Sequence, residues 1–256
     1  MEGRVICIKV GGKAASDAAA LSALIGEMVR LAGRYRFFLV HGGGAEVTRV
    51  SGLLGLKATF QNGVRLTSPP EMEVVDMVLA GKMNKAIVRQ FQARGVAAFG
   101  LSGSDGRLFT GERIAPESHT GRISAVEVRP LLTLMEAGYL PVVASTSMSA
   151  LGVALNINAD EAAFALAARL PADTLLFLSD IPGILDGEKR VMPRLTGDGV
   201  RTAIASGVIS GGMIPKVESS MKALADGVAG IVIGQYLADG DLERLLGGQA
   251  GSRITP

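Results

Sequence analysis

Lys9 stands in an apolar run, Val5 to Val10, directly before Gly11 and Gly12. An ammonium is costly to bury unless an anion meets it. The form recurs twice: Phe37-Phe38-Leu39-Val40 empties into His41-Gly42-Gly43-Gly44, and Gly211-Gly212 stands just ahead of Lys216. Glycine-rich strand exits with lysines aimed at them can hold phosphate, because backbone amides and ammoniums face the same anion. Lys216 falls in the first turn of a helix that Pro215 helps to open, where the macrodipole disfavours a cation. A bound anion at that end reverses the argument; the plain alternative is a solvated lysine. Asp160 has a plain role as a first-turn acid and a sharper one as the carboxylate that orients two lysines. The three glycines after His41 are either a tight turn or, between a strand and a helix, an anion-cradling nest.

Other phosphate and hydrolytic chemistries lack their residues. Gly12-Lys13 is followed by Ala14 and has no upstream glycine, so no Walker loop is present, and Val47 occupies the place of the third glycine in a dinucleotide fingerprint. Two histidines and one cysteine make a hydrolytic triad or a zinc enzyme improbable, and His119 reads as a surface residue. With 26 Lys+Arg against 24 Asp+Glu, a net charge of +2 gives no basic footprint for nucleic acid. The 256 residues, 48% apolar and 20% charged, are enough for one large α/β unit or two lobes. Cys7 lies inside the first strand and reads as an inert core thiol in a reducing compartment. No signal-peptide pattern and no run of roughly 20 apolar residues occurs, so a soluble cytoplasmic protein with no membrane partner is expected.

The elements that must position these residues alternate. A strand to Val10, a helix over about Asp17 to Ala32, a strand over Phe37 to His41 and a further helix imply a parallel sheet covered on both faces. Asn62-Gly63 between β-prone arms predicts a hairpin, with Arg65 on the face opposite Val64 and Leu66; the plain reading is an edge hairpin with a solvated arginine. Pro69-Pro70 opens a long helix to about Ala93. Its apolar residues exceed one stripe, Val74, Val78 and Val88 included, so a second face packs either inside the chain or on another subunit. Asn158 with Glu161 has capping-box spacing at the next helix. Thr174 to Leu178 is a strand, and Gly230 to Gly234 the last strand, followed by a short helix.

Together Lys9-Val10-Gly11-Gly12, His41-Gly42-Gly43-Gly44, Asn62-Gly63-Val64-Arg65, Asn156-Ile157-Asn158-Ala159-Asp160, Ser179-Asp180-Ile181-Pro182-Gly183-Ile184-Leu185 and Gly211-Gly212-Met213-Ile214-Pro215-Lys216 closely resemble, in order, the acetylglutamate kinases of the amino acid kinase superfamily. The resemblance covers nearly the whole chain. It implies an α/β three-layer sandwich around a mostly parallel sheet, in two lobes. Residues 1–171 would form the acceptor lobe, with a hairpin lid near 58–67, and residues 172–256 the nucleotide lobe. The implied reaction moves the γ-phosphoryl of ATP, carried with Mg2+, to the side-chain carboxylate of N-acetyl-L-glutamate in arginine biosynthesis. By that likeness Lys9 and Lys216 stabilise the group in flight and Asp160 holds them in place. Gly43 and Gly44 would cradle the acceptor, and Arg65 and Asn156 would grip its α-carboxylate side, with Asn158 also on the substrate. Gly11, Gly12, Ser179, Asp180, Ile181, Pro182, Gly183, Ile184, Leu185, Val208, Ile209, Ser210 and Gly212 would line the nucleotide site. No protein metal site is implied. A homodimer through the helix near 70–93, insensitive to arginine, is expected, and Gly247 to Pro256 looks looser than the family's usual ending. The rival readings are a kinase for a carrier-protein-bound aminoadipate or glutamate and a non-catalytic amino-acid or nucleotide sensor; a sensor has no need of Lys9, Asp160 and Lys216 together.

Overall fold

A computed structural model describes residues 3–11, 17–61 and 64–256; Gly12 and the hairpin turn Asn62-Gly63 lie outside the described residues. Strand β1 (Arg4–Val10) buries Ile6, Cys7, Ile8 and Val10. Helix α1 (Ala18–Leu31) turns Leu21, Leu24, Ile25, Met28 and Leu31 inward, and the Asp17 carboxylate caps it by accepting from the amides of Ala19 and Ala20 at 2.8 and 3.0 Å. Strand β2 (Tyr35–His41) leads into α2 (Gly44–Leu53). The expected hairpin follows as β3 (Thr59–Gln61) and β4 (Val64–Leu66), antiparallel.

The run from Pro69 is helical to Gln92 but not one α-helix. It comprises α3 (Pro69–Asp76), a π-helical segment Met77–Met83 and α4 (Asn84–Gln92). Val74 and Val78 are buried in a cluster with Val47, Met72, Val75 and Leu79, so these two pack inside the chain rather than on another subunit. Beyond it come β5 (Ala98–Ser102), β6 (Phe109–Arg113), β7 (Thr120–Val126), α5 (Arg129–Glu136), β8 (Leu140–Ala144), β9 (Thr146–Ser149) and β10 (Ala154–Ile157). Strands β6 and β7 close with β9 and β10 into a small barrel, in the order β10-β7-β6-β9. Then follow α6 (Ala159–Arg169), β11 (Thr174–Leu178), β12 (Arg194–Thr196), α7 (Gly197–Ala205), α8 (Met213–Ala225), β13 (Ile231–Gly234), α9 (Asp241–Leu246) and β14 (Ser252–Thr255).

By compactness the chain divides into 38–162 and a unit made of 1–37 with 163–256. This boundary differs from the one expected for functional lobes at 171. The reason is pairing: β1 lies parallel to β11, Ile6 opposite Thr174 through Val10 opposite Leu178, which ties the start of the chain to its last third. In that unit the strands run β12-β14-β13-β11-β1, all parallel pairs except β13–β14. In the other, β8 pairs in parallel with both β2 and β5. The mostly parallel α/β sheet is thus present.

The tail departs from expectation. Gly247 to Pro256 is not loose: β14 lies between β12 and β13, with Ser252 and Ile254 fully buried. Alternation hides this strand, because its outward residues Arg253 and Thr255 and the glycines before it read as a surface ending. No helix among the described residues is long and apolar enough to cross a membrane.

Candidate active site

In the unit containing both chain ends, β1 delivers Lys9 to the strand exit. A Cβ on Gly11 would overlap the Lys9 ammonium, so a glycine there is what lets the side chain fold over the turn. Lys9 is the register partner of Phe177 on β11. Lys216, in the first turn of α8, places its Nζ 6.0 Å from the centre of that same buried Phe177 ring and 3.4 Å from the Ser179 hydroxyl. Phe177 thus has Lys9 as its strand neighbour and the Lys216 ammonium over its ring, near the carboxyl ends of β1 and β11, where open parallel sheets bind ligands.

The segment after β11 is pinned from several sides. The Ser179 amide donates to the Gly234 carbonyl at 2.8 Å, and Gln235 Nε2 donates to the Asp180 carbonyl at 3.3 Å. The Ile184 amide donates to the Ser252 hydroxyl at 2.8 Å, while Ile184 O accepts from Met192 N, also at 2.8 Å. A Cβ on Gly183 would come within 2.7 Å of Ser252 Oγ and Val191, so glycine alone fits beneath the tail strand. Leu185 bridges to Val191, Ile181 is half-buried and Pro182 is exposed. Before α8, Val208 and Ser210 are exposed and Ile209 is buried, its amide bonded to Ala203 O at 2.9 Å; Gly212 caps the helix.

The 38–162 unit holds the other expected residues. Gly43 is hemmed in by the π segment: a Cβ there would overlap Met83 and approach Leu79 to 2.7 Å. Gly44 opens α2, and its carbonyl accepts from Arg65 Nη2 at 3.1 Å. Arg65 is not a solvated arginine. Its side chain is 9% exposed, and the guanidinium lies 4.8 Å over the Phe60 ring, bonds the Thr48 hydroxyl and pairs at 3.3 Å with Glu71, whose side chain is 3% exposed. Glu71 also accepts from the Ser68 amide at 3.3 Å. Asn156 Nδ2 donates to Thr67 Oγ1 at 2.9 Å, and Thr120 links Thr67 to the Arg65 carbonyl. Arg65 and Asn156 are thereby brought together through two threonines. Asn158, exposed, accepts from the Asp160 amide at 2.7 Å, which caps α6; Glu161 instead accepts from Ile123 N at 2.6 Å. A Cβ on Gly42 would sit 3.1 Å from Ala159, so the glycine turn and the first turn of α6 are neighbours.

Thr48, Thr67, Glu71 and Thr120 were not expected here. Glu71 had a signal: Ser68-Pro69-Pro70-Glu71 has capping-box spacing, which the structure uses to hold the carboxylate facing Arg65. The threonines had none, since long-range pairing alone brings them in. Glu46, in the first turn of α2, is held down to a pKa of about 2 by hydrogen bonds from Arg49 and Lys82. His119 is half-buried rather than a plain surface residue, its ring bonded to Ala154 O at 2.7 Å and facing Arg113.

The chain belongs to the amino acid kinase family, whose profile it matches over residues 4–235. The particular members it is similar to are acetylglutamate kinases. That of Carboxydothermus hydrogenoformans is 39% identical, with 99% of this chain and 92% of that protein covered. That of Rubrobacter xylanophilus is 39% identical over 98% and 97%, and the chloroplastic enzyme of Arabidopsis thaliana 40% identical over 88% and 67%. Among solved structures, smu.665 of Streptococcus mutans superposes with a TM-score of 0.80 at 28% identity over 98% of both chains. Carbamate kinase from Giardia lamblia, at 18% identity and a TM-score of 0.71 over 99% and 98%, shares the fold.

Proposed function

We propose that this chain transfers the γ-phosphoryl group of MgATP to the side-chain carboxylate of N-acetyl-L-glutamate, a step of arginine biosynthesis. The observation that carries the reading is that Phe177 is the strand partner of Lys9 and lies beneath the Lys216 ammonium, in a chain about 40% identical to acetylglutamate kinases along most of its length. A carboxylate oxygen bonds to the γ-phosphorus as the bond from that phosphorus to the β–γ bridging oxygen breaks, giving an acyl phosphate and ADP. The nucleophile is already ionised near neutral pH, so no base is required. What the protein must provide is alignment and neutralisation of charge. In this reading Lys9 and Lys216 offset the charge on the moving group, and Asp160 keeps them ordered. Gly43 and Gly44 offer amides to the acceptor, and Arg65, with Asn156 and Asn158, takes its α-carboxylate side; a guanidinium fork suits a carboxylate. Gly11, Gly12, residues 179–185, 208–210 and Gly212 line the nucleotide. The residues assigned to the acceptor all fall within 38–162 and those assigned to the nucleotide all outside it.

A cytoplasmic homodimer using the run near 70–93 completes the proposal, supported by Met77, 57% exposed in that run, and by the single buried thiol; sedimentation of the purified chain at monomer mass would remove the dimer. The reaction is tested by trapping acyl phosphate with hydroxylamine while ADP release is followed, across N-acetyl-L-glutamate, glutamate, aspartate and aminoadipate. Turnover confined to N-acetyl-L-glutamate is expected. Bound ATP without turnover of any free acceptor would replace this reading with a carrier-bound acceptor or a sensor. Lys9→Ala and Lys216→Ala should each lower kcat by about 10²-fold or more with a smaller change in the KM for ATP, as for loss of a group that meets developing charge. Unchanged turnover would remove the lysines from the reaction.

A further inference from the structure

We propose that His41 is a positioning residue: as the neutral Nδ1–H tautomer, set by Asn84, it fixes the Gly42 carbonyl and so aims the Gly43 amide. This rests on the reading above that Gly43 and Gly44 cradle the acceptor. That reading uses the glycines of His41-Gly42-Gly43-Gly44 and leaves the histidine without a task. Yet His41 is fully buried at the end of β2, and a buried imidazole must satisfy both nitrogens.

Its partners decide which nitrogen carries the proton. Nδ1 lies 2.9 Å from the Gly42 carbonyl, which can only accept, so Nδ1 donates. Nε2 lies 3.2 Å from Asn84 Nδ2, which can only donate, so Nε2 accepts. The orientation of the Asn84 amide is itself settled by independent contacts. Nδ2 donates to the Val142 carbonyl at 2.8 Å, and Oδ1 accepts from the Lys85 ammonium at 3.0 Å. Lys85 in turn is held by the Gly100 carbonyl at 3.0 Å. A Cβ on Gly100 would overlap Asn84 Oδ1, so β5 leaves room for this amide. Four groups thus pass one polarity along: Lys85 to Asn84, Asn84 to His41, His41 to Gly42. Burial, with the Lys85 charge adding to it, pushes the imidazole pKa down to about 4, which keeps the ring neutral.

The consequence follows from peptide geometry. The Gly42 carbonyl and the Gly43 N–H belong to one planar trans unit and point in opposite directions. Fixing the oxygen therefore fixes the direction of the amide. In a run of glycines, whose backbone has the widest freedom, that direction would otherwise wander.

The test begins with wild-type protein labelled with 15N-histidine. Long-range 1H–15N correlation, with His119→Gln to assign the two rings, should show protonated Nδ1 and bare Nε2 at His41. The Nε2–H tautomer or a rapid mixture would overturn the proposal, whatever the variants do. Two variants then read the function. His41→Asn places an amide nitrogen where Nδ1 was, and His41→Gln places it where Nε2 was. His41→Asn should keep kcat/KM for N-acetyl-L-glutamate within about ten-fold, and His41→Gln should lose about 10²-fold, the scale of one misplaced oxyanion-type donor. The KM for MgATP should stay within about two-fold in both, because the loss belongs to acceptor alignment. Folded variants with equal losses, or losses shared equally by both substrates, would overturn it. Wild-type turnover in the same assay separates the outcomes: if wild type does not act on N-acetyl-L-glutamate, the proposed function fails, while the tautomer is still decided by the spectrum.

Discussion

Burial holds the His41 imidazole at a pKa of about 4, against 6.5 for an ordinary histidine, and this couples protonation to folding. Above pH 6.5 neither state binds the proton and the group contributes no pH dependence. Between 6.5 and about 4 the unfolded chain binds a proton that the native state refuses, so stability falls as pH falls through that window. The full effect is roughly 3 kcal/mol at 1.36 kcal/mol per unit. Thermal melts of wild type and His41→Asn from pH 7 to 4.5 should diverge, wild type losing more Tm on acidification. Parallel curves would mean that the ring takes up its proton in the folded protein. At this scale the sequence was informative about identity but not environment. Lys9, Arg65 and Asp160 could be singled out by type and neighbours. That Arg65 is enclosed by Phe60, Glu71 and Thr48 could not be read, because alternation in a short hairpin gives a face without saying what covers it.

Among elements, the six-residue helix α9 is too short to be stable by itself and is held by a residue far away in sequence. The Glu27 carboxylate, buried on α1, accepts from the amides of Gly240, Leu242 and Glu243 at 3.0, 3.3 and 2.8 Å. An anion satisfying three orphan donors at a helix N-terminus is favoured twice over. Glu27→Ala should cost about 2–4 kcal/mol, since it strands those donors away from water; denaturant titration measures it, and a loss below 1 kcal/mol would show that water takes over the role. Glu27 was invisible in the sequence, where it is one acid within an amphipathic helix. The helix run from Pro69 shows the same limit in another way. Its helicity was legible from spacing and from the two prolines, whereas the π segment Met77–Met83 was not, because a widened turn leaves no mark in composition. That segment presses Leu79 and Met83 onto Gly43 and is followed at once by Asn84 on His41, so the unreadable element is the one that shapes the nest.

For the molecule as a whole, the β-strand order was beyond local pattern. Parallel pairing joins residues distant in sequence, and the family resemblance carried the mostly parallel sheet but not its strand order. The tail is the instructive miss. Ile254 is fully buried in β14, which is paired on both sides, and Ser252 supports the amide of Ile184. Ile254→Ala should therefore destabilise the unit by about 2–5 kcal/mol, as for a core truncation. A surface-like effect below 0.5 kcal/mol would restore the picture of a loose ending.

The pairing of β1 with β11 also sets the order in which the two units can be completed as the chain is made. Residues 38–162 leave the ribosome as one uninterrupted stretch and can pack while synthesis continues. The unit that owns β1 must wait for β11, its parallel partner, which follows the whole of 38–162. At cellular elongation rates β1 spends on the order of ten seconds or more without that partner. During that interval Ile6, Cys7 and Ile8 lack the partner strand beside which they are buried, so the unit holding β1 closes only after 38–162 has been synthesised.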